Sequence, residues 1–141
     1  MDDFLPPQFE RTRILLTPAE QARLAGAHVL VAGLGGVGSY CAEALARAGV
    51  GRLTLIDHDD VALSNINRQL PALLSTVGQS KAELMAARIR DIHPGCRLTV
   101  LREFLVPETV AETVPDDTDF VIDCIDSLNC KVPLVAGSVQ R

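Results

Sequence analysis

The chain has 141 residues, 48% of them hydrophobic, 22% charged and only 4% aromatic, a balance that suits about one globular domain rich in small aliphatic side chains. Its formal net charge of −5 excludes a generally basic surface for nucleic acid, because bulk phosphate attraction needs Lys and Arg in excess. No apolar run approaches the roughly 20 residues that span a bilayer, and Met1-Asp2-Asp3-Phe4 lacks the character of a signal peptide, so a cytoplasmic location is expected.

Thr17-Pro18-Ala19-Glu20 reads as a capping box with proline at the first helical position, opening a short helix that ends at Gly26. A helical arm, residues 1–27, is thereby expected ahead of an α/β domain, residues 28–141. The apolar run Val29-Leu30-Val31-Ala32 then leads into Gly33-Leu34-Gly35-Gly36-Val37-Gly38. A strand that enters three spaced glycines and a helix is the Rossmann arrangement: Gly33 permits the tight turn, Gly35 admits phosphates to the backbone, and Gly38 lets helix pack on strand. On the helix, Val37, Cys41, Leu45 and Ala48 fall on one face, and Gly49 and Gly51 stop it. A second strand, Arg52-Leu53-Thr54-Leu55-Ile56-Asp57, ends on an acid nineteen residues past Gly38, where a ribose-binding carboxylate belongs.

A polar run, Asp57 to Gln69, follows that strand. Ser80-Lys81-Ala82-Glu83 is a second capping box, opening a helix with Met85, Ile89 and Ile92 in one stripe and an end at His93-Pro94-Gly95. A third strand is expected near Arg97 to Leu101, a short helix from Pro107 through Val114, and a fourth strand over Asp119-Phe120-Val121-Ile122-Asp123-Cys124. The last stretch predicts a helix with Pro133 in its first turn running to Gln140, with a strand at Val132 to Val135 as the alternative. Alternating strands and helices specify a Rossmann-like, doubly wound, mainly parallel sheet with helices on both faces. The four cysteines, Cys41, Cys96, Cys124 and Cys130, have no C-x-x-C spacing and are expected as reduced thiols, with neither a zinc site nor a disulfide framework. The chain stops where such a sheet normally continues, so a fragment of a larger enzyme is expected.

In open α/β sheets ligands bind at the carboxyl ends of the strands. There Asp57 can hold ribose hydroxyls, Asn65 can bond sugar or phosphate, and Arg68 presents a planar fork for phosphate oxygens. Lys81 at its helix N-terminus is locally unfavourable unless an anion is bound nearby. Asp126 follows the fourth strand and is positioned to hold magnesium on phosphates, while Asp123 is either a second acid of the site or a structural cap. Together these groups favour a polyphosphate site. They suit attack by a carboxylate on the α-phosphate of ATP, with pyrophosphate leaving, a reaction that asks mainly for positioning and cations. An NAD-dependent oxidoreductase is the remote alternative from the glycines and Asp57, but it leaves Arg68, Lys81 and Asp126 without a task.

The successive segments Gly33 to Gly38, Leu55-Ile56-Asp57-x-Asp59, Ser64-Asn65-x-Asn67-Arg68-Gln69, Val77-Gly78-Gln79-Ser80-Lys81 and Asp123-Cys124-Ile125-Asp126 resemble the ATP-site motifs of the ubiquitin-activating-type adenylating superfamily. The resemblance implies that the glycine loop with Gly36, and Asp57, Asp59, Asn65, Arg68, Lys81 and Asp126, surround ATP and magnesium. It further implies that an N-terminal arginine, best matched by Arg11, reaches the ATP of the partner subunit of a homodimer. Ala44 to Gly51, Ala86 to Cys96 and Ile122 to Ser127 are most similar to the tRNA threonylcarbamoyladenosine dehydratases, which implies modified tRNA as the substrate. The near alternative is the adenylyltransferases of ubiquitin-like sulfur-carrier proteins.

Overall fold

In the computed structural model, which describes residues 6–140, the run His28–Ala32 forms strand β1 and is buried at all 5 positions. Burial on both faces is what a continuous Val/Leu run dictates in a parallel sheet. Its neighbours are β2 (Arg52–Ile56) on one side and β4 (Phe120–Asp123) on the other, with β3 (Arg97–Leu101) beyond β2. The described strands are parallel in the order β3-β2-β1-β4, with Val31 opposite both Leu55 and Ile122. The direction of winding reverses between β1 and β4, and that reversal opens a crevice at their carboxyl ends.

Two apolar layers cover the sheet, as the alternation of strands and helices requires. On one face Val29, Val31, Leu53 and Leu55 meet Ala42 and Ala46 of α2 (Gly38–Ala48) and Met85, Ala86 and Ile89 of α3 (Lys81–Ile92). On the other, Leu30, Ala32 and Ile56 meet Val110 and Val114 and Leu134 of α4 (Leu128–Val139). The arm comprises a 3-10 segment, Pro7–Ile14, and α1 (Pro18–Gly26). Its residues 1–5 lie outside the described range. At α1 both halves of the predicted capping box form: Thr17 Oγ1 accepts from the Glu20 N–H at 3.3 Å, and the Glu20 carboxylate accepts from the Thr17 N–H at 2.7 Å.

Four expectations need correction. At α3 only one half of the second capping box forms, Ser80 Oγ accepting from the Glu83 N–H at 3.4 Å. Within α2 the buried stripe is Gly38, Ser39, Ala42 and Ala46, not Val37, Cys41, Leu45 and Ala48; Val37 is 72% exposed and Ala48 is also exposed. Small residues let α2 approach β1 closely, and the larger side chains stand on its shoulders. The segment after Pro107 is turn followed by one 3-10 stretch, Val110–Thr113, rather than a helix through Val114. The last helix begins at Leu128, so Pro133 sits inside it rather than in its first turn.

Candidate functional site

The glycine loop leaves β1 through Gly33, whose φ of +91° belongs to the left-handed region that glycine alone enters freely. A Cβ there would lie 2.5 Å from the Cys124 carbonyl oxygen, and one on Gly38 would lie 1.6 Å from the Gly33 carbonyl oxygen. The loop is therefore folded tightly on itself and against the end of β4. No side chain caps the N-terminus of α2 behind it, and no acidic residue stands in the first turn. The Ser39 N–H donates to the Gly35 carbonyl at 3.2 Å, which leaves the other leading N–H groups to an anion.

Asp57 lies one residue past β2 and binds the loop directly: one carboxylate oxygen accepts from the Leu34 N–H at 2.7 Å and the other from the Asp59 N–H at 2.8 Å. Each oxygen keeps a lone pair for a sugar hydroxyl. Arg68 lies against Gly36, its Cγ 3.6 Å from where a Cβ would stand, and its guanidinium donates to the Ser64 carbonyl at 3.1 Å and to Asn67 Oδ1 at 2.9 Å. Both of those partners are exposed, so the fork is free to exchange them for a stronger anionic acceptor. Asn65 is buried and holds the turn, its Oδ1 accepting from the Ala62 N–H at 2.8 Å.

Lys81 opens α3 yet is only 5% exposed, with Nζ 3.3 Å from Asp59 Oδ2. Its backbone is tied to the same loop, the Lys81 N–H donating to the Asp59 carbonyl at 3.1 Å. A nearly buried ammonium with a half-exposed partner retains a surplus of positive field. The two acids after β4 separate in role. Asp123 accepts from Lys131 Nζ at 2.7 Å and from the Ile125 N–H at 3.1 Å, which makes it structural. Asp126 is exposed in the bend between β4 and α4, two residues past the Cys124 carbonyl that faces Gly33.

The structure thus brings together the glycine loop, Asp57, Asp59, Asn65, Arg68, Lys81 and Asp126 at one end of the sheet. Arg11 does not join them. Its segment is anchored by Phe9, which packs on Gly49 at the far end of α2, about 16 Å along the helix from the glycine loop. Two further residues shape the site without having been singled out for it. Ser39 Oγ donates to the Gly35 carbonyl and accepts from the Leu70 N–H at 3.3 Å. Gln69 is buried with Nε2 beside Gly35 and an unpartnered Oε1. Their signal was positional only: a hydroxyl one residue after the last glycine, and an amide next to Arg68. Asp57, His58 and Asp59 also offer oxygen and nitrogen atoms within 4.8 Å of one another.

The four cysteines are free thiols. Burial pushes the Cys96 thiol up to about 11 and raises Cys41 and Cys124. None of these three is activated as a nucleophile.

Residues 9–140 match the ThiF family. Over 122 residues the chain is 48% identical to the tRNA threonylcarbamoyladenosine dehydratase of Haemophilus influenzae, covering 86% of this chain and 47% of that protein. The crystal structure of the Escherichia coli tRNA N6-threonylcarbamoyladenosine dehydratase in complex with ATP superposes with a TM-score of 0.91 at 47% identity, covering 94% of this chain and 55% of the other. The molybdopterin-synthase adenylyltransferase of Escherichia coli is 38% identical over 132 residues, covering 86% of this chain and 53% of that protein. The chain spans about half the length of these relatives.

Proposed function

This chain belongs to the ThiF family, and we propose that it forms the nucleotide-binding half, residues 28–141 behind an arm of residues 1–27, of an ATP-dependent tRNA threonylcarbamoyladenosine dehydratase. The observation that carries this reading is the convergence of an uncapped, glycine-led helix N-terminus with Arg68 and the nearly buried Lys81. That convergence suits a polyphosphate rather than a nicotinamide. Kinship to an ATP-bound dehydratase at TM-score 0.91 supports the choice of nucleotide and of substrate.

In this reading the loop Gly33, Gly35, Gly36 and Gly38 and the first turn of α2 receive the phosphates, and Asp57 with Asp59 holds the ribose edge. Arg68 and Lys81 neutralise the phosphate oxygens, and the Asn65 amide donates a hydrogen bond to them. The side-chain carboxylate of the modified adenosine attacks the α-phosphorus in line, and the bond to pyrophosphate breaks. Lys81 and Arg68 offset the negative charge that gathers on the leaving group, and no base is required because the nucleophile is already ionised. An internal nucleophile then displaces AMP, so that the tRNA loses one water. Asp126, exposed and beside the loop, fits a magnesium ion, which when bound supplies charge neutralisation on the phosphates. Arg11, remote from its own loop, serves the ATP site of the partner in a homodimer, and the compartment is the cytoplasm. A second reading, adenylation of the terminal glycine of a ubiquitin-like sulfur carrier, draws on the 38% identity to the molybdopterin-synthase adenylyltransferase.

The test is AMP release from magnesium-ATP by the full-length protein, offered either tRNA bearing threonylcarbamoyladenosine or a small carrier ending in Gly-Gly, with mass analysis of the product. AMP together with loss of one water from the tRNA is expected. AMP with the carrier alone would move the chain to sulfur transfer, and no AMP with either would overturn adenylation.

A further inference from the structure

We infer that a cavity at the amino-terminal end of the sheet is a second binding site, for an uncharged heterocycle of nucleobase size that presents a hydrogen-bond donor beside an acceptor. The cavity measures about 240 Å³ and lies between the arm and the loops that lead into β2 and β3, with Phe9, Thr12, Gln21, His93 and Arg97 in its wall. The glycine loop stands at the carboxyl ends of the same strands, so the two sites face opposite ends of the sheet. The inference shares no residue with the adenylation reading and stands independently of it.

Gln21 is 4% exposed and His93 8%, yet Gln21 Nε2, Gln21 Oε1 and His93 Nδ1 all lack a hydrogen-bond partner. They are three of the five such buried side-chain atoms among the described residues, gathered around one cavity. Buried polar atoms are nearly always paired, and an exception calls for a missing partner. Rotation of the Gln21 amide about its soft terminal torsion turns its donor and acceptor into the adjoining cavity, where a guest pairs them in place of solvent.

The chemistry of the wall selects the guest. A carboxamide offers one donor and one acceptor side by side, the edge that pairs in bidentate fashion with a nucleobase. Phe9 meets His93 edge to face, with ring centroids 4.8 Å apart and planes at 85°, which fixes the imidazole and supplies an apolar wall. Burial lowers the pKa of His93, so the imidazole is neutral and the interior holds no formal charge. Arg97 is exposed and makes no salt bridge among the described residues, which suits a phosphate attached to the base at the rim. The volume admits a base but lies below the usual size of a site that encloses a drug-sized ligand.

The experiment titrates the intact protein with free adenine and free cytosine, which lack the phosphates the glycine loop recognises, and soaks the same bases into crystals. The expected result is a base in the cavity paired to Gln21, with affinity reduced about tenfold or more in Gln21→Leu, the loss one bidentate pair implies. ATP affinity is expected to be unchanged in that variant. Gln21→Leu removes the orphaned atoms at nearly constant volume, so its Tm stays level or rises. Displacement of adenine by a short single-stranded RNA would assign the natural base to RNA, and displacement by mononucleotides alone would assign it to the free pool. Failure of both bases to bind, binding unaffected by Gln21→Leu, or crystals with only bridging waters at Gln21 and His93 would overturn the inference.

Discussion

The Asp57 carboxylate is bound to the Leu34 N–H at 2.7 Å, tying the acid after β2 to the middle of the glycine loop 23 residues earlier. Its other oxygen accepts from the Asp59 N–H at 2.8 Å, so one side chain sets the position of two loops that face the same crevice. Asp57→Ala leaves both N–H groups without that partner. We expect a loss of about 1–3 kcal/mol of stability in urea unfolding and ATP binding weakened at least about tenfold, since the loop is no longer held open. Asp57→Asn retains one acceptor and should fall between. Wild-type ATP affinity in Asp57→Ala would remove the acid from the site.

The glycines of the loop differ in what they tolerate. A Cβ at Gly38 would stand 1.6 Å from the Gly33 carbonyl oxygen and 3.1 Å from Cys124 Cβ, whereas one at Gly36 would meet only the Arg68 side chain and carbonyl at 3.6–3.7 Å. Gly38→Ala forces α2 away from β1 and is expected to cost about 3 kcal/mol or more, in the range of severe core overpacking. Gly36→Ala should stay within about 1 kcal/mol of wild type. Thermal melts of the two variants separate them, and equal Tm values would refute the close-packed loop.

The elements that a sequence displays most clearly are those with one dominant local signal. Thr17 to Glu20 capped α1 as expected, and Gly33 to Gly38, Asp57, Arg68 and Lys81 converge because every one of them follows a strand end, which topology sends to the same edge. On α2 hydrophobicity points to Val37 and Leu45, whereas close approach to β1 selects Gly38, Ser39, Ala42 and Ala46. The usual preference of proline for a first turn does not govern Pro133, because the helix starts at Leu128 and carries the proline within it. The pairing of Gln21 with His93 around a cavity had no local signature at all. It depends on the arm folding back over the start of β3, a contact between residues far apart in the chain.

Lys81 and Asp59 are unequal partners, one nearly buried and the other 52% exposed. Removing the acid leaves a buried ammonium without its 3.3 Å partner, whereas removing the ammonium leaves a carboxylate that water can solvate. Asp59→Ala is therefore expected to be less stable than Lys81→Met, by about 1–3 kcal/mol. Under the adenylation proposal, which sets the Lys81 charge against the leaving phosphates, Lys81→Met should nonetheless slow adenylate formation by about 2–4 kcal/mol in transition-state terms. Denaturant midpoints and single-turnover AMP release test the pair together. A Lys81→Met protein with normal turnover would strike Lys81 from the phosphate site.

Glu43 joins α2 to α3 through Arg88 and to its own helix through Arg47, its carboxylate 2.8 Å from the Arg47 guanidinium. The hydrogen bond from Arg88 is the main reason its carboxyl is held below the ordinary value, with Arg47 adding to it and burial opposing. A carboxyl with a lowered folded pKa contributes stability that is present above its unfolded pKa of about 4.3 and is lost as pH falls through the folded value. His93 acts in a higher window. Burial lowers its pKa, so the unfolded chain takes up the proton first and stability declines as pH drops below about 6.5. Arg88→Ala is expected to cost about 0.5–1 kcal/mol at pH 7, discounted because Arg88 is half-exposed, and to flatten the decline below about pH 4.5. Some acid sensitivity should persist there, because Glu20 and Asp117 are also held low by Thr17 and Arg52. The step near pH 6 should be unchanged in Arg88→Ala and diminished in His93→Phe. Urea unfolding at half-unit intervals from pH 3 to pH 8 resolves the two steps, and an Arg88→Ala curve parallel to wild type throughout would show that the link between α2 and α3 does not depend on the Glu43 charge.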